Sequence, residues 1–344
     1  MAGKLLSYSG ILTKVKSMSS NLITTEDYNV ISTIDNVPDF ISFLKKQPAY
    51  SNMFSQLDEK SLHRGDIERI ITNGIYEDYA KIYRFASGSM RDILKLIFFR
   101  YEVNFLKSCL LHVFHKDNTY NLNSLNAFFA NHSKLDTNKL AATKTMDEFI
   151  ANLKGTIYHN LFTTLYHSNH HTFFDYAMEL DVFYFKTVWK SKDKLLKGAE
   201  KKSFTDCIGK QIDLLNIMWI YRSKRFYAMD DSAILSIIIP INYKLKKDNF
   251  TKLIEAKTIE EFLNILNDTY YHSINDSFHD ESIELIYRNL MSKIYMDNSK
   301  KYPNSISPIL SYLFLKEQEI DRLTNALECI RYQLKPKEIL EYVL

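Results

Sequence analysis

One twelve-residue phrase occurs three times in this chain, and that recurrence limits the possible folds more than any other feature. DFISFLKKQPAY closes at Tyr50, DEFIANLKGTIY at Tyr158 and EEFLNILNDTYY at Tyr271. Each copy runs from an acidic residue through Phe and an aliphatic residue to a short turn and a Tyr. The first copy carries one extra residue between Leu44 and Tyr50. A unit repeated at this scale is one supersecondary element copied along the chain, because one copy alone cannot bury its apolar face.

A second phrase follows in the same order. Roughly 60 residues after each first phrase opens, an acidic residue begins an apolar stripe at alternating steps of three and four. Glu102 leads Val103, Leu106, Leu110 and Val113. Asp213 leads Leu214, Ile217 and Tyr221, with Lys224 breaking the series. Glu319 leads Ile320, Leu323, Leu327, Ile330 and Leu334. That spacing draws one narrow stripe down a helix, so these segments are built to pack. The three anchors lie 111 and 106 residues apart. The expectation is an all-α protein of three similar helical repeats, residues 1–118, 119–230 and 231–344, with boundaries at Lys116–Asn126 and Met229–Ser232.

Composition agrees with long helices. Only 8 Gly and 6 Pro occur in 344 residues, too few for a turn-rich β fold. Basic and acidic residues nearly balance, 44 against 41, so the net charge gives no reason to expect a nucleic-acid ligand. Cys109, Cys207 and Cys329 are odd in number and lack zinc-type spacing, which reads as reduced thiols in an intracellular protein. The first twenty residues lack a signal-peptide core, and the apolar run Ala233–Ile241 is too short to span a bilayer.

Local signals place the elements. Thr25 is the expected cap of a helix over Leu22–Ile34, and Thr258 with Glu261 forms a capping-box pattern. Leu57–Ala86 reads as helix with breaks at Gly65 and Gly74, and Met90–Phe114 as one long helix. Asp193–Ser203 reads as a charged turn, Lys300–Ser307 as a loop, and Pro336 as the residue that ends the last long helix.

Groups with chemical potential are few. His167, His170 and His171 form the one histidine cluster, but a zinc site wants further ligands and a supporting shell. No GxxxxGK[ST], GxGxxG or GxSxG pattern occurs, and Gly209–Lys210 lacks the glycines that cradle a phosphate. The anchors Glu102, Asp213 and Glu319 are expected to make local ion pairs or helix contacts, with Lys107, Arg222 and Arg322 as the neighbouring candidates for partners, rather than to act as catalysts. The basic clusters Lys190–Lys202 and Lys244–Lys247 read by default as solvated faces, with contacts to an acidic protein surface or to lipid headgroups as the alternative. The expectation is therefore no catalytic residue, no cofactor and no metal.

The run SPILSYLFLKEQEIDRLTNALECIRYQLKPKEILEYVL, together with YSGILTKVKSMSSNLITTED, Tyr101–Leu110 and DLLNIMWIYRSKRFY, resembles the V-type ATPase/ATP synthase C-subunit family, the relatives of the eukaryotic d subunit. In that family an acidic residue is commonly followed three places later by Asn. Asp213 and Asn216 keep the pair, whereas Glu102 has Phe105 and Glu319 has Arg322 at that place. The resemblance implies a funnel-like body of three lobes and a non-catalytic central-rotor adaptor. Such an adaptor joins the central stalk to the proteolipid (c-type) ring, peripheral on the cytoplasmic face of the membrane, in ATP-linked proton or sodium transport. The rival reading is a free-standing α-helical scaffold for protein–protein interaction.

Overall fold

The computed structural model describes residues 2–58, 62–115, 129, 132–168, 172–274 and 283–344. Among these residues the regular elements are α-helices, with one 3-10 turn at His272–Ile274 and no strand, so the all-α expectation holds. The chain divides into two compact units, one formed by residues 1–88 with 308–344 and the other by residues 89–307.

The first unit joins both ends of the sequence. It holds the helices Ala2–Ser19, Thr25–Ser32, Val37–Lys46, Ser51–Phe54 and Arg64–Phe85, with most of Ser307–Arg331 and all of Pro336–Val343. Ala2–Ser19 packs on Arg64–Phe85, and Pro336–Val343 packs on Thr25–Ser32. Ile31, Phe40, Leu44, Ile71, Leu323 and Leu327 are fully buried. The three-four spacing after Glu319 therefore marks a core stripe as expected. Tyr312 adds a buried hydrogen bond to Asp78 Oδ2 at 2.5 Å.

The second unit is organised around Gly198–Phe226, which packs on Phe173–Leu195, Asp231–Ile237, Ile259–Asn267 and Ile283–Lys301. Ile208, Ile212, Leu214, Ile217 and Ile220 of this helix are all buried, more than one face can supply, so it runs through the interior. The unit also holds all of Gly88–His115 after its first residue, with Thr137–Ala141, Met146–Asn152, His159–Tyr166 and Lys247–Glu255.

Caps explain where the repeated first phrase becomes helical. Asn36, Thr145 and Thr258 each accept a hydrogen bond from the backbone N–H three residues on, at Asp39, Glu148 and Glu261. This satisfies amides that have no partner within the helix. Phe40, Phe149 and Phe262 follow as fully buried side chains, and Leu44, Leu153 and Leu266 lie one turn further on in the core.

Several local expectations are corrected. The first cap is Thr24, not Thr25, in a reciprocal capping box with Asp27. Gly74 does not break its helix, because its missing side chain only leaves room for Lys316 Cε, 3.5 Å from where a Cβ would stand. The turn after the Phe173–Leu195 helix is just Leu196–Lys197, and Glu200 is buried, accepting from the Ile306 N–H at 3.0 Å. The last long helix stops at Arg331, with Gln333 in the left-handed region at φ 54°. Pro336 starts the next helix rather than ending the one before, as Pro does without cost in a first turn.

Candidate functional site: three carboxylate–tyrosine latches

Each acidic anchor lies on a long helix and accepts a hydrogen bond from the Tyr that closes a first phrase. Tyr158 Oη donates to Glu102 Oε2 at 2.7 Å, Tyr271 Oη to Asp213 Oδ2 at 2.9 Å, and Tyr50 Oη to Glu319 Oε1 at 2.7 Å. The Tyr belongs to the next phrase in chain order for Glu102 and Asp213. For Glu319, in the last long helix, it belongs to the first phrase.

Each carboxylate also holds the segment that enters the short helix ahead of its Tyr. Glu319 Oε2 accepts from the Ile23 N–H at 2.5 Å, just before the Thr25–Ser32 helix. Asp213 accepts from the N–H groups of Tyr243, Lys244 and Leu245 at 3.1, 2.6 and 2.9 Å, just before Lys247–Glu255. Glu102 accepts from Ser133 Oγ, ahead of Thr137–Ala141. A carboxylate has about four lone-pair sites, enough to fasten two segments to one helix. We call this arrangement a latch.

The surroundings of the three differ. Glu319 has a cation, with Lys316 Nζ 2.6 Å from Oε1 while also donating to Tyr50 Oη at 2.9 Å. Lys316 and Glu319 are only 1% and 4% exposed at their side chains, so this is a pair inside the core. Among the described residues Asp213 has no cation as a hydrogen-bond partner and relies on three amides and a phenol. Burial raises the Asp213 carboxyl, while its four hydrogen bonds pull it back. Burial also raises Glu102, opposed by Ser133 and Tyr158. The phenols of Tyr50, Tyr158 and Tyr271 are pushed up, first by burial and then by the facing carboxylate, so they remain neutral donors.

Asn216 stands one turn beyond Asp213 and is fully buried. Its Nδ2 donates to the Ile239 carbonyl and its Oδ1 accepts from the Ile239 N–H, both at 2.9 Å. Asp213 and Asn216 thus hold the Ile239–Leu245 strap along one face of their helix. Gly209 completes that face, since a Cβ there would stand 2.4 Å from the Tyr243 ring.

The expected ion-pair partners are elsewhere. Lys107 binds Asp181 at 2.5 Å, Arg222 binds Glu284 at 3.0 Å, and Arg322 lies over the Tyr28 ring at 5.7 Å. Lys107 and Arg222 are five and nine positions beyond their anchors, so neither shares the anchor's face. Reasoning from the sequence missed the phenol partners, Lys316 and the strap. The Tyr ends were visible, but their pairing required tertiary structure.

His167 is the exposed C-terminal cap of His159–Tyr166, and His170 and His171 lie outside the described residues, as does the Lys116–Asn126 boundary. Among the described residues no group of three or more His, Cys, Asp or Glu is placed to hold a metal. Nor is any helix there long and apolar enough to cross a membrane. All three cysteines are buried, and burial pushes Cys109 and Cys207 up to about 12.

The arrangement defines a helical protein whose buried acids fasten chain segments together. The chain belongs to the ATP synthase (C/AC39) subunit family, whose model matches residues 11–342. It is 25% identical over 329 residues to the A-type ATP synthase C subunit of Methanosarcina acetivorans, covering 92% of this chain and 87% of the relative. It is 23% identical to the A-type ATP synthase C subunit of Methanosarcina mazei over 325 residues, with the same coverage of each chain. The protein of that name from Thermococcus kodakarensis is 23% identical over 340 residues, covering 96% of this chain and 88% of the relative.

Proposed function

We propose that this chain is the non-catalytic subunit that couples the central stalk to the proteolipid ring of an A/V-type rotary ATP synthase or ATPase. The observation that carries this reading is the family match along nearly the whole chain, with relatives named as the C subunit of A-type ATP synthases. The protein works peripherally, at the cytoplasmic face of the membrane, and carries torque for ATP-linked proton or sodium movement.

In this reading residues 1–118, 119–230 and 231–344 are three copies of one helical unit. The order of elements supports it. A short helix, a capped phrase helix and two long helices follow one another as Thr25–Ser32, Val37–Lys46, Arg64–Phe85 and Gly88–His115. The same order returns from Thr137–Ala141 to Gly198–Phe226, and again from Lys247–Glu255 to Ser307–Arg331. Glu102, Asp213 with Asn216, and Glu319 are then the equivalent anchors of the copies. Their task is stiffness, because a body that transmits torque must not let its helices slide. Phe226, Tyr227 and Tyr332, at the ends of the second and third of those long helices, are 65%, 64% and 71% exposed and suit the aromatic anchors of protein interfaces.

The test is binding of the purified chain to detergent-solubilised proteolipid ring and, separately, to the isolated central stalk. Saturable one-to-one binding to both is expected. Binding to neither by a folded, monodisperse chain overturns the coupler and leaves a free-standing scaffold.

A further inference from the structure

We infer that the lysine-rich face of the 89–307 unit docks on an anionic lipid bilayer. The Lys190–Lys202 and Lys244–Lys247 clusters are about fifty residues apart in sequence. The fold brings them together, because the Trp189 ring meets the Tyr243 ring edge-on at 6.1 Å. Lys192 Nζ lies 4.0 Å from the centre of the Trp189 ring, and Lys244 Nζ lies 5.0 Å from that of Tyr243. Tyr270, 53% exposed, has the same Lys244 ammonium at 5.8 Å from its ring and that of Lys210 at 5.9 Å.

The two stretches hold nine lysines against Asp193 and Glu200, in a chain whose net charge is only +3. Glu200 is turned inward onto the Ile306 N–H, and Asp193 is taken up by Lys192 and Lys201 at 3.0 and 2.8 Å. Asp206 is likewise engaged, by Lys210 at 2.9 Å and the Tyr243 hydroxyl at 3.1 Å. Lys190, Lys194, Lys197, Lys202, Lys244, Lys246 and Lys247 are exposed and form no ion pair among the described residues, and the exposed carboxylates in and next to the two stretches are Asp193, already paired, and Asp248.

A bilayer fits this face better than an acidic protein does. Both clusters are built from Lys without Arg, a point charge suited to a diffuse field rather than to forked pairing with carboxylates. Leu195 is 45% exposed among Lys194 and Lys197, and Tyr270 is exposed beside Lys244, the mixture that enters a headgroup layer. The choice of a bilayer rests on the proposed place of the chain in a membrane-bound complex.

The test is co-sedimentation of the full chain with phosphatidylcholine vesicles, with and without roughly 30% phosphatidylglycerol, across about 0.05 to 0.5 M salt. Binding should require phosphatidylglycerol and fall with salt. The triple variant Lys244→Gln/Lys246→Gln/Lys247→Gln should bind on the order of 100-fold more weakly, at roughly fivefold per lysine. A control, Lys16→Gln/Lys154→Gln/Lys337→Gln, removes three exposed lysines elsewhere and should bind as the parent does. Circular dichroism confirms that both variants are folded. No dependence on phosphatidylglycerol, or equal losses in both variants, overturns the inference. So does a patch variant that loses only binding to the stalk or ring, since the face would then belong to a protein partner. Vesicle binding needs no other protein, so its failure is distinguishable from failure of the coupler reading.

Discussion

A neutral phenol facing a buried carboxylate supplies a strong donor without a counter-charge, so each latch depends on how many other donors remain when the phenol is lost. Removing one partner of a buried acceptor costs about 1–3 kcal/mol. Among the described residues, Tyr158→Phe leaves Glu102 with Ser133 alone, whereas Tyr271→Phe leaves Asp213 with three amides. Urea denaturation should therefore place Tyr158→Phe toward the upper end of that range and Tyr271→Phe toward the lower. Lys316→Met strands the Glu319 charge in the core and should cost about 3–5 kcal/mol, while Lys316→Met with Glu319→Leu should recover much of it. Glu102 also gives a pH signature. Burial raises its carboxyl above 4.5, so the folded chain holds that proton more tightly than the unfolded chain. The associated stability is fully present below that value and is lost as pH rises through the raised one. Glu102→Gln stays neutral throughout, so the advantage of the parent over the variant should be largest in acid and shrink toward neutral pH. An advantage that grows with pH would contradict the assignment.

Among the elements, the long helix Gly198–Phe226 and the strap it holds are sensitive to one methyl group. Gly209→Ala places a Cβ 2.4 Å from the Tyr243 ring, so the ring and its strap must shift. Overpacking of this kind costs about 1–3 kcal/mol, and the double variant with Tyr243→Ala should show much less than the sum. The opposite change is expected at the helix end, where Gln333 has φ 54°. Gln333→Gly should stabilise by about 1 kcal/mol, read as a higher denaturation midpoint. These elements also show what the sequence could reveal. Helix periods were legible because they repeat within a few residues, and the Thr258 cap was legible because Glu261 stands three places on. The Glu261 side chain accepts from the Lys257 N–H and not from that of Thr258, so the reciprocal box does not close. Asn36 and Thr145 are equivalent caps, each with an acid three places on, and comparing the three phrases one turn upstream would have found them. The Tyr–carboxylate bonds join residues 56, 58 and 269 positions apart, a separation no local pattern encodes. Lys107 and Arg322 misled because charge proximity in sequence was taken for contact.

At the scale of the whole molecule, the unit formed by residues 1–88 and 308–344 depends on the last long helix for its interior. Leu323 and Leu327 bury fully there, Glu319 fastens Ile23 and Tyr50, and Tyr312 reaches Asp78. Pro336–Val343 lies on Thr25–Ser32. The 89–307 unit keeps its own core around Gly198–Phe226, and the latches of Glu102 and Asp213 lie wholly inside it. Removing residues 308–344 should therefore act unevenly. Amide hydrogen exchange should speed up by orders of magnitude over Thr25–Phe85, which would lose their buried partners. Protection over Phe173–Phe226 and Ile283–Lys301 should largely persist, because those amides report opening of a separate cooperative unit. Loss of protection throughout would mean that the chain folds as one cooperative body. Unchanged protection in the N-terminal helices would mean that the Glu319 latch does not carry the stability of its unit.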